Sequence, residues 1–367
     1  MGSDNHLGLI ALESYRDKAE RIDQILCEWR GHDSSLIDVQ CPRFASGEAK
    51  GVIRQSVRDK DLYLLVDVCN NSLRYKMDGD LNRMSPDDHY QDLKRVIAAC
   101  AGKARRITVI MPFLYESRQH RKTARESLDC AVMLKELESL GVDNIVTFDA
   151  HDPRMQNVLP LRGIENISPA LQFTQALLTE YEDITIDPEH LMFIAPDEGA
   201  TERVVFLASV FGVNIGMFFK RRDYANIVDG TNPIIAHDFC GGSLEGMDAI
   251  VVDDMIASGG SIIDVCHQIR ERGAKRVFIF ATFGLFSGGL EKLDKAYEQG
   301  LFDRIFTTDL VYQKPALFEK PYYLSVGMNR YIAAIIDTLN RNASMQKITK
   351  PEERMRETIR TYRERNS

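Results

Sequence analysis

The amino-acid sequence predicts an α/β protein with two domains, each a mostly parallel sheet flanked by helices. The chain has 367 residues, more than a single domain of roughly 100 to 200 residues usually holds. Short runs rich in Val, Ile, Leu and Phe also alternate with helix-sized segments along the chain. That alternation is typical of βαβ units, in which helices cover both faces of a parallel sheet.

The elements and domains follow from this alternation. Apolar runs predict strands at 61–67, 107–111, 145–148, 191–194, 249–252 and 277–280. The segments between them predict helices at 91–101, 125–140, 200–211 and 261–272. The segment 70–88 is rich in Asn, Asp, Gly and Pro, which indicates a polar loop with turns. We expect a first domain over 8–165, a second over 166–345, and a charged C-terminal tail over 346–367 that forms a solvated helix or a frayed segment.

Composition excludes several classes of protein. Hydrophobic residues make up 44% and charged residues 27% of the chain, which is ordinary for a globular protein. The net charge of −8 argues against a sequence-independent nucleic-acid binder, which needs a basic surface. No apolar run approaches the roughly 20 residues of a membrane-spanning helix, and the first residues lack a signal-peptide pattern. We therefore expect a cytoplasmic protein with neither a nucleic-acid nor a membrane partner.

The segment Val251–Ser261 carries the strongest chemical signal. An apolar run leads into a glycine pair, Gly259 and Gly260, and then into a predicted helix. Glycines let backbone amides approach an anion closely, and a helix N-terminus favours negative charge. Ser258 and Ser261 add hydroxyl donors at the same point. This half of the segment is suited to binding a phosphate group.

Two carboxylates precede the glycines and need a different partner. Asp253 and Asp254 would repel a phosphate, but they can accept hydrogen bonds from a sugar diol or hold a hydrated Mg²⁺ ion. The order of acids, glycines and hydroxyls therefore indicates a ligand with hydroxyls at one end and a phosphate at the other. The alternative is an ordinary strand-to-turn connection with no ligand.

This segment resembles the phosphoribosyl-diphosphate loop of the type I phosphoribosyltransferase fold. The resemblance implies two tandem phosphoribosyltransferase-like domains and a ribose 5-phosphate site formed by Asp253, Asp254, Ala257, Ser258, Gly259, Gly260 and Ser261. Further stretches, in the same order along the chain, resemble ribose-phosphate pyrophosphokinases specifically: 43–48, 57–63, 117–126, 147–156 and 219–226. Together with 195–199 and 275–281, the resemblance extends over residues 40–340.

Two of these stretches indicate a site for ATP. The run Arg118-Gln119-His120-Arg121-Lys122 is rich in cations and donors for phosphate oxygens, although a solvated basic loop is the alternative. Phe44 can stack on a purine and Glu48 can accept from an exocyclic amine, although both are also common as packing and surface residues. The resemblance implies that Phe44, Glu48, Arg118 and Gln119 bind ATP. The family usually has Asp where this chain has Ser46.

The resemblance also assigns a metal and a catalytic pair. It makes His151 and Asp197 ligands of the Mg²⁺ that accompanies ATP, whereas a lone His is usually structural. His120 we interpret as structural or exposed. Lys220 and Arg222 correspond to residues that the family carries on a mobile loop, where they neutralise charge on the transferred pyrophosphoryl group. Basic residues at a strand end otherwise often only face water.

The predicted reaction transfers the pyrophosphate of ATP to C1 of ribose 5-phosphate, and the resemblance adds a homo-oligomer built from dimers, such as a hexamer. A phosphoribosyltransferase would explain the 251–261 loop, but it leaves the tandem domains and Arg118 without a role. A regulatory or associated subunit without turnover would fit the departures at Ser46 and at Ala257, where relatives often have Asp. Retention of the predicted catalytic and metal-binding residues favours an active enzyme.

Overall fold

The computed structural model describes residues 6–222 and 234–366, except for the side chains of 220–222 and 234–237. Its first half contains β1 (Leu7–Ala11), α1 (Arg16–Arg30), β2 (Val39–Gln40), β3 (Val52–Ile53), β4 (Asp61–Leu65), β5 (Arg74–Met77), β6 (Asp80–Arg83), α2 (Pro86–Ala99), β7 (Arg106–Ile110), α3 (Asp129–Ser139), β8 (Asn144–Phe148), β9 (Gly163–Ile167) and α4 (Ala170–Glu180). The second half contains β10 (Leu191–Ala195), α5 (Thr201–Phe211), β11 (Asn214–Arg222), β12 (Ile234–Cys240), β13 (Asp248–Ile256), α6 (Gly260–Glu271), β14 (Arg276–Gly284), α7 (Glu291–Glu298), β15 (Arg304–Thr308), β16 (Tyr323–Val326), α8 (Asn329–Asn340), α9 (Gln346–Thr349) and α10 (Glu352–Arg365). Within the described residues, no helix has the length and apolar character needed to cross a membrane.

The strands form two main sheets with the same internal order. One sheet runs β1-β4-β7-β8-β9, and the other runs β12-β11-β10-β13-β14-β15-β16. All neighbours are parallel except β11 and β12, which are antiparallel at the edge. The series β10-β13-β14-β15-β16 repeats the first sheet strand for strand. Each of the predicted strands and helices is present, so the predicted α/β fold with two tandem domains is confirmed.

The chain divides into two compact units. The first comprises the residues up to Ser168 together with Leu310–Tyr312 and Gly327–Thr349, and the second comprises the remainder. α8 follows β16 in the chain, yet it belongs to the first unit, where Asp337 of α8 pairs with Arg30 of α1 at 2.6 Å. The sequence-based division, by contrast, assigns all of 166–345 to the second domain.

Alternating side chains place a core on both faces of the second sheet. Phe278 and Phe280 of β14 pack into one hydrophobic cluster, and Val277 and Ile279 of the same strand pack into another. These residues are fully buried. A strand buried on both faces is apolar at most positions, which is why the sequence shows nearly continuous apolar runs rather than alternation.

The segment 70–88 is not the turn-rich loop that we predict from its composition. It forms the hairpin of β5 and β6 and then begins α2. Ser85 caps α2, because its side chain accepts from the amide of Asp88 while the Asp88 carboxylate accepts from the amide of Ser85. Pro86 occupies the first turn, where a missing amide hydrogen costs nothing.

The C-terminal tail is also more ordered than we predict. α10 extends over Glu352–Arg365 and buries Met355, Ile359 and Tyr362 along one side. These residues join the core of the second unit, and the Tyr362 hydroxyl accepts from the amide of Ile184 at 2.9 Å. In the sequence this apolar stripe is hard to recognise, because Glu and Arg residues make up most of the segment.

Each unit contains the same ion pair at the start of two neighbouring strands. Arg106 of β7 donates two hydrogen bonds to the carboxylate of Asp61 in β4, at 2.7 and 2.6 Å. Arg276 of β14 does the same to Asp248 of β13, at 2.8 and 2.6 Å. In both pairs the two residues are also direct partners in the strand register. We call these pairs the strand-start forks.

We predict that Asp61→Asn lowers stability through loss of the first fork. Asp61 is fully buried and also accepts from the Tyr63 hydroxyl, so its replacement leaves the Arg106 cation without its carboxylate. A cost of about 3 kcal/mol corresponds to a fall in melting temperature of roughly 6 to 12 °C for a unit of this size. Thermal unfolding followed by circular dichroism measures it.

Asp38→Asn is the matched control, because Asp38 pairs with Arg54 on the surface at 3.4 Å. Such an exposed pair contributes about 1 kcal/mol or less, so the melting temperature should change little. Equal shifts in the two variants would contradict the role assigned to the buried fork.

Candidate active site

The acid pair lies near the carboxyl end of β13. Asp254 is buried, Asp253 is half-buried, and the Asp253 carboxylate accepts from the amide of Asp254 at 2.8 Å. Asp253 is the register partner of Ala281 in β14. In open α/β sheets, ligands bind outside the carboxyl ends of the strands, so the pair occupies a position typical of a ligand site.

A third carboxylate from the neighbouring strand faces the pair. Asp197 follows β10, the neighbour of β13, and its side chain accepts from the amide of Gly199 at 3.0 Å. Burial raises the pKa of Asp253 well above its ordinary value, and the charges of Asp254 and Asp197 raise it further. This concentration of negative charge favours a ligand that brings a cation or hydroxyl donors.

Arg203 is a member of the site that the sequence analysis does not include. It lies in the first turn of α5, where its guanidinium donates to the Gly199 carbonyl at 3.1 Å. Its other terminal nitrogen is 4.0 Å from the Asp254 carboxylate. Arg203 lies four residues after Gly199, which is about one helical turn, and this spacing could have identified it from the sequence. Arg203 holds the turn that bears Asp197 and partly offsets the charge of Asp254.

The phosphate half of the segment forms the start of α6. Gly259 adopts the left-handed conformation, with φ +82°, immediately before the first helical residue Gly260. The first intrahelical hydrogen bond runs from the amide of Ile263 to the carbonyl of Gly259. The earlier amides of this turn are the ones that a helix leaves for an outside acceptor.

Gly288 packs closely against the backbone of the loop before α6. A Cβ atom at Gly288 would lie 3.0 Å from the carbonyl oxygen of Ser258, so a side chain there would push the loop by a few tenths of an ångström. Ser258 and Ser261 are both exposed, and Ala257 is half-buried. The predicted phosphate-binding residues are therefore brought together, with their hydroxyls accessible to a ligand.

The carboxylates fit a Mg²⁺ ion that is shared with a substrate. Asp197, which lies near Asp253, supplies an oxygen ligand of the kind that Mg²⁺ prefers. Over the described ranges 6–222 and 234–366, no three His, Cys, Asp or Glu residues form a group that could hold a metal by themselves. Mg²⁺ commonly takes one or two carboxylates and completes its shell with water and phosphate oxygens, which matches this arrangement.

Lys220 and Arg222 lie at the end of β11, which pairs with the edge strand β12. The register pairs Lys220 with His237 and Arg222 with Ile234, both in β12. Their backbone is therefore extended and paired, and not part of a loop as we expect from the resemblance. Their side chains and residues 223–233 lie outside the described part of the structure.

In the first unit, the basic loop follows β7. Arg118 is exposed, and Gln119 donates its side-chain amide to the Ser127 carbonyl at 2.9 Å. The amide of Gln119 also donates to the carbonyl of Glu116, which is left-handed with φ +56°. This turn presents Arg118 to solvent, where its guanidinium is accessible to an anion.

His151 follows β8, and the structure brings it next to His120, a residue that we interpret as structural or exposed. The two imidazole centroids are 5.4 Å apart. Nε2 of His120 lies 3.3 Å from the carboxylate of Asp152. Hydrogen bonds from Arg154 lower the pKa of Asp152 to about 2, so this carboxylate stays ionised. The parallel order of β7 and β8 could have indicated the proximity, because both histidines follow carboxyl ends of adjacent strands.

Phe44 and Glu48 lie on the tight loop that we call the purine loop, Arg43–Ala49. The amide of Phe44 donates to the carbonyl of Glu48 at 2.7 Å, and the Phe44 ring remains 54% exposed. The Ser46 hydroxyl donates to the Glu48 carboxylate at 3.0 Å. An aromatic ring this exposed beside a carboxylate is suited to stacking with a base.

Comparison with known proteins agrees with this architecture. Residues 7–141 match a family model described as the N-terminal domain of ribose phosphate pyrophosphokinase, and residues 167–313 match the phosphoribosyl transferase domain. A ribose-phosphate pyrophosphokinase of Vibrio parahaemolyticus is 28% identical over 315 residues, which cover 85% of this chain and 90% of that protein. Its counterpart in Vibrio cholerae is 30% identical over 281 residues, covering 76% of this chain and 80% of that protein.

A solved structure shows the same fold over nearly the whole chain. The crystal structure of phosphoribosylpyrophosphate synthetase from Mycobacterium smegmatis superimposes with a TM-score of 0.74 at 22% identity, and it covers 92% of this chain and 100% of that chain. The matches span both compact units rather than one. On this evidence the chain belongs to the ribose-phosphate pyrophosphokinase family.

Proposed function

We propose that this protein is an active ribose-phosphate pyrophosphokinase, which transfers the pyrophosphoryl group of ATP to C1 of ribose 5-phosphate. The observation that carries the proposal is the carboxylate pair in β13 followed directly by the glycine-led start of α6. Asp253 and Asp254 accept from the ribose hydroxyls, and the amides and hydroxyls of Ser258–Ser261 bind the 5-phosphate. A phosphosugar satisfies both halves at once.

The reaction needs one bond to form and one to break. The C1 hydroxyl oxygen bonds to the β-phosphorus of ATP, and the bond between that phosphorus and the bridging oxygen of the α-phosphate breaks. AMP leaves with that oxygen, and the attacking hydroxyl loses its proton. Such a transfer asks the protein mainly to position the two substrates and to stabilise charge.

The proposed residues divide these tasks. Phe44 and Glu48 bind the adenine, while Arg118 and Gln119 bind the triphosphate. Lys220 and Arg222 stabilise the charge that develops on the transferred group, as their match to the family's catalytic residues implies. Mg²⁺, when bound with ATP, neutralises phosphate charge, and His151 and Asp197 are its proposed protein ligands. An ordinary phosphoribosyltransferase is less favoured, because the relatives match across both domains.

A cytoplasmic location and a homo-oligomer built from dimers belong to the same proposal. Both rest on membership in the family. The substrates are ATP and ribose 5-phosphate, and the net charge of −8 supports the expectation that nucleic acid is not a partner.

The direct test is product analysis with the purified protein. We predict that AMP and phosphoribosyl diphosphate form in equal amounts from ATP, Mg²⁺ and ribose 5-phosphate, and that a chelator stops their formation. Omission of ribose 5-phosphate is the control and should leave ATP intact. Formation of ADP, or no AMP under any of these conditions, would refute the proposed activity.

We predict that Asp253→Asn combined with Asp254→Asn weakens ribose 5-phosphate binding by about tenfold or more, because charge-assisted hydrogen bonds to the sugar are lost. ATP binding should change far less, since other residues hold its base and triphosphate. Calorimetric titration with each substrate measures both affinities. Asp264→Asn, an exposed change on α6, is the control and should leave both unchanged. An equal loss for the two ligands would contradict the sugar-binding role.

We predict that Lys220→Ala and Arg222→Ala each lower kcat by about 10² to 10⁴ while the KM of either substrate rises far less, as expected for contacts that strengthen in the transition state. Steady-state kinetics at saturating Mg²⁺ measures this, with folding checked by thermal melting. Lys275→Ala, an exposed change beside β14, serves as the control. A kcat within about threefold of the parent for both variants would end the catalytic assignment.

A further inference from the structure

The hairpin of β5 and β6 follows β4 in the first unit, and its sequence gives it two unlike faces. Asp78 and Gly79 form its tip, both left-handed with φ +52° and +91°, as a two-residue hairpin turn requires. Along β5, Tyr75 and Met77 are half-buried while Arg74 and Lys76 are exposed. A two-stranded hairpin is marginal alone, so its half-buried face must be held by a neighbour.

That neighbour is the purine loop. The amide of Asp78 donates to the carbonyl of Ala45 at 3.0 Å. Met77 packs directly on Gly47, since a Cβ atom at Gly47 would lie 2.7 Å from the Met77 sulfur. The guanidinium of Arg43 lies 4.7 Å from the centre of the Tyr75 ring. The hairpin therefore contacts the purine loop at three residues, Arg43, Ala45 and Gly47.

The purine loop is also anchored at one end by an ion pair. Arg43 pairs with Asp92 of α2 at 2.8 Å, with both side chains nearly buried. Beneath the hairpin lies a cavity of about 430 Å³, lined in part by Tyr75, Arg43 and Asp92. This space is not filled by a packed core. The hairpin and the purine loop therefore hold each other in place largely through the contacts described above.

The contacts leave the opposite side of the loop accessible. Phe44 is 54% exposed, whereas Arg43 and Gly47, which the hairpin contacts, are half-buried. The hairpin thus fixes the loop backbone without occupying the ring that would meet a base. A loop that is ordered before binding pays less conformational entropy when the ligand arrives, which improves affinity without changing the chemical step.

We propose that the hairpin is a positioning element for the donor nucleotide, in which Tyr75 and Met77 hold the purine loop in the conformation that binds the base. This inference rests on the proposed function, because it takes Phe44 and Glu48 as adenine contacts. It assigns a role to the segment 70–88, and it makes Met77 and Tyr75 positioning residues that touch no substrate themselves.

The test compares Met77→Ala with Met77→Leu. We expect Met77→Ala to raise the KM for ATP about fivefold or more while kcat and the KM for ribose 5-phosphate stay within about twofold, since only uniform binding of the nucleotide is weakened. Met77→Leu restores the bulk against Gly47 and should return the KM for ATP to within about twofold of the parent. Lys76→Ala, on the exposed face of the same strand, is the matched control.

A second measurement does not depend on activity. In Met77→Ala, the amides of Phe44 and Gly47, which donate within the purine loop, should exchange with deuterium about fivefold faster or more, while amides of the central strands keep their protection. If the parent forms no AMP but this exchange still rises, the proposed function fails and the positioning role stands. Unchanged exchange, or a KM for ATP within about twofold in a folded Met77→Ala variant, would overturn the inference. A fall in kcat together with a rise in the KM values of both substrates would overturn it as well, because that result would indicate general damage to the fold.

Discussion

The strand-start forks set the register on which both sheets depend. In each unit an Asp and an Arg are direct neighbours across two parallel strands and form two short hydrogen bonds. A slip of one residue would separate the partners and turn every side chain of the strand to the other face. Asp61 is fully buried and Asp248 is 4% exposed, so an unpaired carboxylate there would be strongly destabilising. The sheets are therefore fixed at the end opposite the ligand-binding residues.

The same register places three carboxylates close together at the carboxyl end of β13. Asp197 and Asp253 follow or belong to adjacent strands, and their proximity with Asp254 raises the pKa of Asp253 beyond the effect of burial alone. Arg203, at 4.0 Å from Asp254, offsets only part of this charge. Hydroxyl donors or a cation would offset the rest, and the start of α6 favours an anion. The acid cluster and the start of α6 therefore differ in the charge of the ligand group that each favours.

The sequence was sufficient for the central strands, because parallel strands that are buried on both faces are apolar at most positions. It was insufficient where the outcome depends on contacts between distant segments. The hairpin Arg74–Arg83 has strands with exposed or half-buried side chains, and its composition is that of a loop. α8 has an ordinary apolar stripe that does not specify which unit it joins. The proximity of His120 to His151 depends on β7 and β8 being adjacent parallel strands.

The two units repeat the same order of five parallel strands, but the connection from β13 to α6 differs from its counterpart in the first unit. In the second unit, the connection from β13 to α6 is the short glycine loop before Gly260. The equivalent connection in the first unit, from β4 to α2, contains the hairpin of β5 and β6, which packs on the purine loop. The carboxyl ends of the first unit's strands lead instead to Arg118 and the two histidines, so the same scaffold presents different side chains at the equivalent edges of its two sheets.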